Sequence, residues 1–398
     1  MEKVLCQRKM KFVVTLKKSK APRRSPIPDP LVCSGAFAVM ASEDFHRPGE
    51  ASWSVDEIRY DEIERDRIKE DTQLLYADRA RTAGAACQVR AMKAYVTNQT
   101  RHAIILAGGD GTRLSEITRR ISGDSTPKQF CPVIGNTSLL EQTRLRVSLA
   151  VDKNRIFTVL NRAHERHYRD LVNEILPEKL VIQPANRGTA PAILYALMRL
   201  SEVARDTYVA VFPSDHFVSD DREFMRHVDS AFDAIESRPE MTVLLGITPH
   251  AVESGYGWIE PGELIATCSP LFRVRRFWEK PGSELADELL RAGCMWNSFV
   301  MVARVSTLIG LIMVAMPALY ASFSKIYGLL GTAREPGGLE RLYERIQTAS
   351  FSSEVLERYP INLSVLPVHG VEWSDLGEPQ RVIAVLSHLG VHPEWEAA

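Results

Sequence analysis

From residue 102 onward, short apolar runs alternate with segments whose apolar positions recur every three or four residues. His102 to Ala107 is an apolar run of the kind that makes a buried strand. It breaks into Gly108-Gly109-Asp110-Gly111, and apolar positions resume at helical spacing at Leu114, Ile117 and Ile121. Leu139-Leu140 and the following E-Q-T-R-L-R-V predict a second helix, and R-I-F-T-V-L at 155–160 a second strand. Val181 to Gln183 reads as a strand, followed by a helix beginning near Ala190 with Pro191 in its first turn, where the missing N–H is harmless. Val209 to Phe212 is a continuous apolar run, the pattern of a central strand buried on both faces. Met241 to Ile247 is another strand. Strands and helices in alternation predict an α/β fold with a Rossmann-like mixed, mainly parallel sheet flanked by helices.

One run stands outside this rhythm. Val305 to Phe323 carries no charge for 19 residues, long enough in principle to span a bilayer. Ser306, Thr307, Gly310 and Pro317 dilute it, so it reads as a helix buried or facing a second copy, with no membrane partner expected.

Before residue 101 the pattern changes. Residues 1–40 hold nine Lys/Arg against two acids, with prolines at 22, 26, 28 and 30. Residues 1–54 therefore read as a disordered basic, Pro-rich extension, weighed against a targeting segment and against Met40 as the natural start. Residues 55–100, rich in Glu, Asp, Arg and Ala, read as a helical arm, and 101–398 as the main domain. The whole chain has 49 Lys+Arg against 50 Asp+Glu, a net charge of −1, so no general attraction to nucleic acid is expected. Six scattered cysteines without a C-x-x-C pair suggest neither zinc nor disulfides, and fit a cytoplasmic protein.

The candidate chemistry begins at the first glycine loop. Strand, glycine turn and helix form an anion cradle, because backbone N–H groups can approach a phosphate where no Cβ intervenes. The segment lacks the lysine of a Walker A loop, and Leu114 stands where a dinucleotide fingerprint needs its third glycine. Asp215 follows the apolar strand, at the carboxyl end where open α/β sheets place ligands. It could hold Mg²⁺, or merely cap a helix.

L-A-G-G-D-G-T-R-L followed by P-K-Q-F resembles the signature of sugar-1-phosphate nucleotidyltransferases, and most of all the mannose-1-phosphate guanylyltransferases. N-R-G-T-A-P-A, S-G-Y-G-W-I-E, F-W-E-K-P, W-N-S and W-S-D-L-G are similar to later motifs of that family, in the same order over roughly 102–385. The resemblance implies the nucleotide-diphospho-sugar transferase type of fold and transfer of GMP from GTP to mannose 1-phosphate. In this reading Leu106, Ala107, Gly108, Gly109, Gly111 and Thr112 cradle the nucleotide, while Asn186, Thr189 and Ala190 face its base. Arg113 and Lys128 hold the phosphates, and Lys280 positions the attacking phosphate. Gly257, Glu279 and Asn297 face the sugar, and Asp215 and Asp375 hold Mg²⁺. His216 is structural, because a sugar phosphate with a second pKa near ~6 is already ionised and needs no general base.

Two departures stand out. Phe299 follows W-N-S where the family has glycine, which leaves the shape of the sugar pocket open. Ser352 replaces an acid, with Glu354 one turn away as the natural substitute. The rival readings are another sugar or base, a non-catalytic relative, and an NAD-binding oxidoreductase. The non-catalytic relative is disfavoured by the presence of Lys280 and Asp375, and the oxidoreductase by Leu114. A homo-oligomer is compatible with all of them.

Overall fold

The computed structural model describes residues 101–205, 207–265, 270–392 and 395; the expectations for residues 1–100 lie outside the described residues. Strand β1 (Arg101–Leu106) runs into the glycine loop, a short 3-10 turn (Thr112–Leu114) and helix α1 (Ser115–Ser122). Helix α2 (Leu139–Val147) starts at a capping box: Ser138 accepts from the Glu141 N–H, and the Glu141 side chain accepts from the Ser138 N–H. Strand β2 (Ile156–Asn161), helix α3 (Glu165–Val172), strand β3 (Leu180–Gln183) and helix α4 (Thr189–Val203) follow. Strand β4 (Tyr208–Pro213) is followed by the short β5 (Phe217–Val218) and helix α5 (Asp221–Ser237).

The second half holds β6 (Thr242–Ile247), β7 (Gly257–Ile265), β8 (Leu271–Glu279), α6 (Ser283–Arg291) and β9 (Met295–Arg304). Helices α7 (Val305–Ala315), α8 (Pro317–Ser324) and α9 (Glu335–Tyr343) come next. Strands β10 (Leu363–Val368) and β11 (Trp373–Ser374) precede the last helix, α10 (Pro379–His388).

Nine strands form one mixed sheet in the order β3-β2-β1-β4-β9-β6-β10-β8-β7. The first four are parallel, as are β6 and β10, and β9 enters antiparallel between β4 and β6. Alternation along the strands divides the core in two. Ala103, Ile105, Ala210, Phe212 and Leu245 pack with α2, α5 and α6 on one face. Ile104, Val209, Val211 and Leu244 pack with α4, α7, α8 and α9 on the other.

The uncharged run does not form one helix. It breaks at Met316, and Pro317 occupies the first position of α8, where its ring tolerates a start but not a continuation. The two pieces bend by 119°, and among the described residues no single helix is long and apolar enough to cross a membrane. Leu308, Ile312 and Phe323 are buried in the second core, while Met313 and Val314 stay exposed.

Two features of this topology assemble a site. The chain steps outward from β1 through β2 to β3 and then crosses back to β4 on the other side of β1, so the carboxyl ends of β1 and β4 flank a topological switch point. A separate two-stranded ladder then pairs Ser374 with Phe217 and Trp373 with Val218. It carries Asp375, 160 positions along the chain, back to the turn that holds Asp215.

Candidate active site

The glycine loop is held from beneath. Gln129 Nε2 donates to the carbonyls of Ala107 (3.0 Å) and Gly109 (2.7 Å), tying P-K-Q-F to the loop it follows. Gly111 has φ 62° and would bring a Cβ within 2.9 Å of the Lys128 backbone nitrogen, so this turn needs glycine on both counts. Asp110, at the loop tip, accepts from Asn186 Nδ2 at 2.8 Å and lies 3.4 Å from His164 Nε2. The Asn186 carbonyl oxygen accepts from the Gly188 N–H, so its carboxamide locks one loop to the other. Sequence reasoning assigned no role to Asp110 or Gln129, although both stand inside quoted motifs.

A cavity of about 340 Å³ opens above these loops. Leu106, Gly108, Gly109, Gly111, Asn186 and Thr189 line it from the cradle and base side, and Ser214, Asp215 and His216 from the end of β4. Ala107 and Ala190 do not reach it; both are fully buried, and the Ala190 N–H is spent on the Ala349 carbonyl. Thr112 and Arg113 sit on the exposed 3-10 turn. Arg113 has no ion pair among the described residues, yet its charge acts on the Asp215 carboxylate.

Asp215 is not a helix cap, because Asp220 caps α5 by accepting from the Glu223 N–H. It pairs instead with Lys128, whose Nζ stands 2.9 Å from Asp215 Oδ2. The same ammonium donates to the carbonyls of Asp375 (2.6 Å) and Leu376 (3.1 Å). Lys128 is 5% exposed and all three of its hydrogens have protein partners. Burial raises the proton affinity of Asp215, but Lys128, His216 and Arg113 outweigh it and hold the carboxyl below its ordinary range. Burial pushes the His216 pKa down to about 4, so the imidazole is neutral near pH 7. It packs edge-on against Trp373.

Asp375 Oδ1 accepts from Arg381 Nη1 and the Gly377 N–H, at 2.8 and 2.7 Å. Arg381 continues to Glu253 at 2.5 Å and lies over the Tyr256 ring. No sequence signal pointed to Arg381, which lies four positions beyond W-S-D-L-G on the first turn of α10 and outside the motif itself. Among the described residues, Asp215 Oδ1 and Asp375 Oδ2 make no hydrogen bond. No cluster of three or more His, Cys, Asp or Glu there could hold a metal alone. Two carboxylates with one open oxygen each fit a hard cation that completes its shell with phosphate oxygens and water.

The other half of the candidate site lies on β7, β8 and β9. Gly257 faces Glu279 and Asn297; a Cβ there would meet Phe277 at 2.9 Å and Glu279 Oε2 at 3.2 Å. Burial pushes the Glu279 carboxyl up, Lys280 opposes this and Glu357 adds to it. The Ser352 hydroxyl draws the Glu279 carboxyl back down, and Glu357 accepts from the Glu279 N–H at 3.1 Å. Glu354 is instead paired with Arg358 at 2.7 Å, so the acid beside Glu279 is Glu357. Lys280 is exposed, with no ion pair among the described residues.

Among the described residues three non-glycine residues have positive φ: Lys280 (52°), Phe299 (61°) and Leu376 (47°). Each lies inside or directly beside a quoted motif. Such backbone costs about 1–3 kcal/mol per residue and persists only where its surroundings impose it. Phe299 adds to the departure noted in the sequence. Its ring lines the cavity of Asp215 and Asn186, while its N–H donates to Asn297 Oδ1, so it stands between the two parts of the candidate site.

A family model for nucleotidyl transferases matches residues 102–389, which spans the cradle, both carboxylates and the strained motifs. The chain belongs to the nucleotidyl transferase family. Among the relatives of this nucleotidyl transferase, xanthan biosynthesis protein XanB of Xanthomonas campestris pv. campestris is 31% identical over 298 residues. That match covers 72% of this chain and 60% of XanB, so the chain spans less than two thirds of that relative. A mannose-1-phosphate guanylyltransferase of Salmonella montevideo is 31% identical over 208 residues, covering 50% of this chain and 42% of that protein. In three dimensions the nucleotidyl transferase resembles a Thermus thermophilus protein described as a mannose-1-phosphate geranyltransferase. The TM-score is 0.61 at 27% identity, over 70% of this chain and 76% of that one.

Proposed function

We propose that this nucleotidyl transferase moves GMP from GTP to mannose 1-phosphate, giving GDP-mannose and pyrophosphate. The observation that carries the reading is the meeting, at a glycine cradle, of Arg113, which has no ion pair among the described residues and acts on Asp215, with Lys128, which ties the Asp215 carboxylate to the Asp375 backbone carbonyl. The Salmonella montevideo relative's name supports the choice of base and sugar.

The sugar phosphate oxygen attacks the α-phosphorus of GTP in line; the new P–O bond forms as the bond to the bridging oxygen of pyrophosphate breaks. Arg113 neutralises the leaving pyrophosphate, with the Gly108–Gly111 backbone around it. Lys280 holds the attacking phosphate as a point charge, and Glu279 and Asn297 bind sugar hydroxyls. Lys128 acts one step back, fixing Asp215 and the Asp375–Leu376 backbone. Asp215 and Asp375 would hold Mg²⁺, which supplies neutralisation of charge on the phosphates. No general base is required, which agrees with a neutral, buried His216.

Pyrophosphate release with each nucleoside triphosphate crossed against mannose 1-phosphate and glucose 1-phosphate tests the reading. GTP with mannose 1-phosphate should give the highest kcat/KM, and Arg113→Ala should lower it by roughly 100- to 1000-fold, or about 2.7–4 kcal/mol. Preference for another pair would reject the specificity; full activity of Arg113→Ala would reject the mechanism.

A further inference from the structure

Phe299 occupies a backbone position built for a residue without a side chain. Strand β9 pairs Met301 with Leu244 and Asn297 with Gly246, four steps on one strand against two on the other. The intervening Ser298, Phe299 and Val300 form a bulge, and the left-handed position of such a bulge normally takes glycine. Three hydrogen bonds impose it: Asn297 Oδ1 accepts from the Phe299 N–H, Ser298 Oγ donates to the Leu245 carbonyl, and Ser298 Oγ accepts from the Val300 N–H. The bulge turns residue 299 toward the cavity that also holds Pro213, Asp215, Asn186 and the glycine loop.

We infer that Phe299 is a specificity-determining residue that closes the ribose position of the nucleotide pocket; this rests on the proposed nucleotide reading. A nucleotide with its base over Asn186 and Thr189 and its phosphates at Gly109–Arg113 and Asp215 must pass its ribose between those groups. Phe299 and Pro213 line the same cavity as those groups. A phenyl ring there fills space that a glycine would leave open. It lines the ribose edge with carbon, offering no partner to a group attached to the 2′ or 3′ oxygen.

The test is a bump and a hole. Binding of GTP and of its 2′/3′-O-methylanthraniloyl derivative is measured by fluorescence and competition, in the unmodified protein, Phe299→Gly and Phe299→Ala. The unmodified protein should bind GTP at least tenfold more tightly than the derivative, and both variants should narrow that gap at least tenfold. Phe299→Gly should change Tm little, because it releases left-handed strain while giving up the ring's packing against the second core. An unmodified protein that binds both equally, or variants that bind GTP with the gap unchanged, would overturn the inference and leave the nucleotide reading standing. Variants that lose Tm and bind neither ligand would make Phe299 a packing residue and also overturn it. Failure of the unmodified protein to bind any nucleotide would overturn the nucleotide reading itself, and the inference with it.

Discussion

The two halves of the candidate site are built in opposite ways. On the cradle side nearly every polar group is spent on another protein group: Gln129 on two loop carbonyls, Asn186 on Asp110 and Gly188, Lys128 on Asp215 and two carbonyls. On the Glu279 side only the Lys280 head is exposed and without an ion pair among the described residues; Glu279 is half-buried, and the buried Asn297 accepts from the Phe299 N–H. A saturated network fixes loops that have no secondary structure of their own, so it must be rigid through its side chains. Strands β7, β8 and β9 are already rigid through their ladder, so their side chains are free to meet a ligand. It follows that stability and activity should separate cleanly across the two halves.

Lys128→Met should break the comparison most visibly. It leaves Asp215 and two carbonyls facing a hole, and removing one member of a buried pair costs about 3–5 kcal/mol. Lys280→Met, its counterpart with an exposed head, should stay within about 0.5 kcal/mol of the parent while losing activity. Urea unfolding of both variants checks this, and equal losses would refute the division.

His216 sharpens the same contrast through pH. Its pKa is about 4 in the folded chain against an ordinary 6.5, so the unfolded chain binds more protons between those values. Stability from this group is therefore present above pH 6.5 and lost as pH falls toward 4, by about 3 kcal/mol. In EDTA, the parent should lose stability over that window and His216→Asn should lose correspondingly less. Parallel curves would show that the imidazole is not buried in its neutral form.

These differences also mark what the chain alone made readable. The strand–glycine–helix opening was legible because its periodicity changes from continuous apolar to helical at Gly108, and the structure places β1 and α1 there. Asp215 was legible from its place after an apolar strand. Asp375 was legible only through resemblance, since the β5–β11 ladder that returns it involves two residues on each strand. Arg381 was invisible, because an arginine on a helix does not announce which carboxylates, Asp375 six positions back or the distant Glu253, it will hold. Phe299 was noticed for its identity alone, because sequence carries no sign of a bulge that aims a strand residue into the cavity of Asp215 and Asn186.

The smallest stability effect belongs to Glu279. Burial raises its pKa, so the folded chain binds a proton more readily than the unfolded one just above the ordinary carboxylate range. Ionisation at neutral pH therefore opposes folding, and Glu279→Gln should leave Tm equal or slightly raised at pH 7, with the difference vanishing as pH falls through that range. Activity should move the other way. A lost hydrogen bond from a sugar hydroxyl to a charged acceptor costs about 1.5–3 kcal/mol, or roughly tenfold to a hundredfold in kcat/KM. A carboxylate that weakens the fold at neutral pH while sitting half-buried beside Gly257 and Asn297 is placed for a ligand rather than for the core. If Glu279→Gln were destabilised and still fully active, Glu279 would belong with Lys128 among the groups that hold the loops. The division between a saturated half and an open half would then fail at its centre.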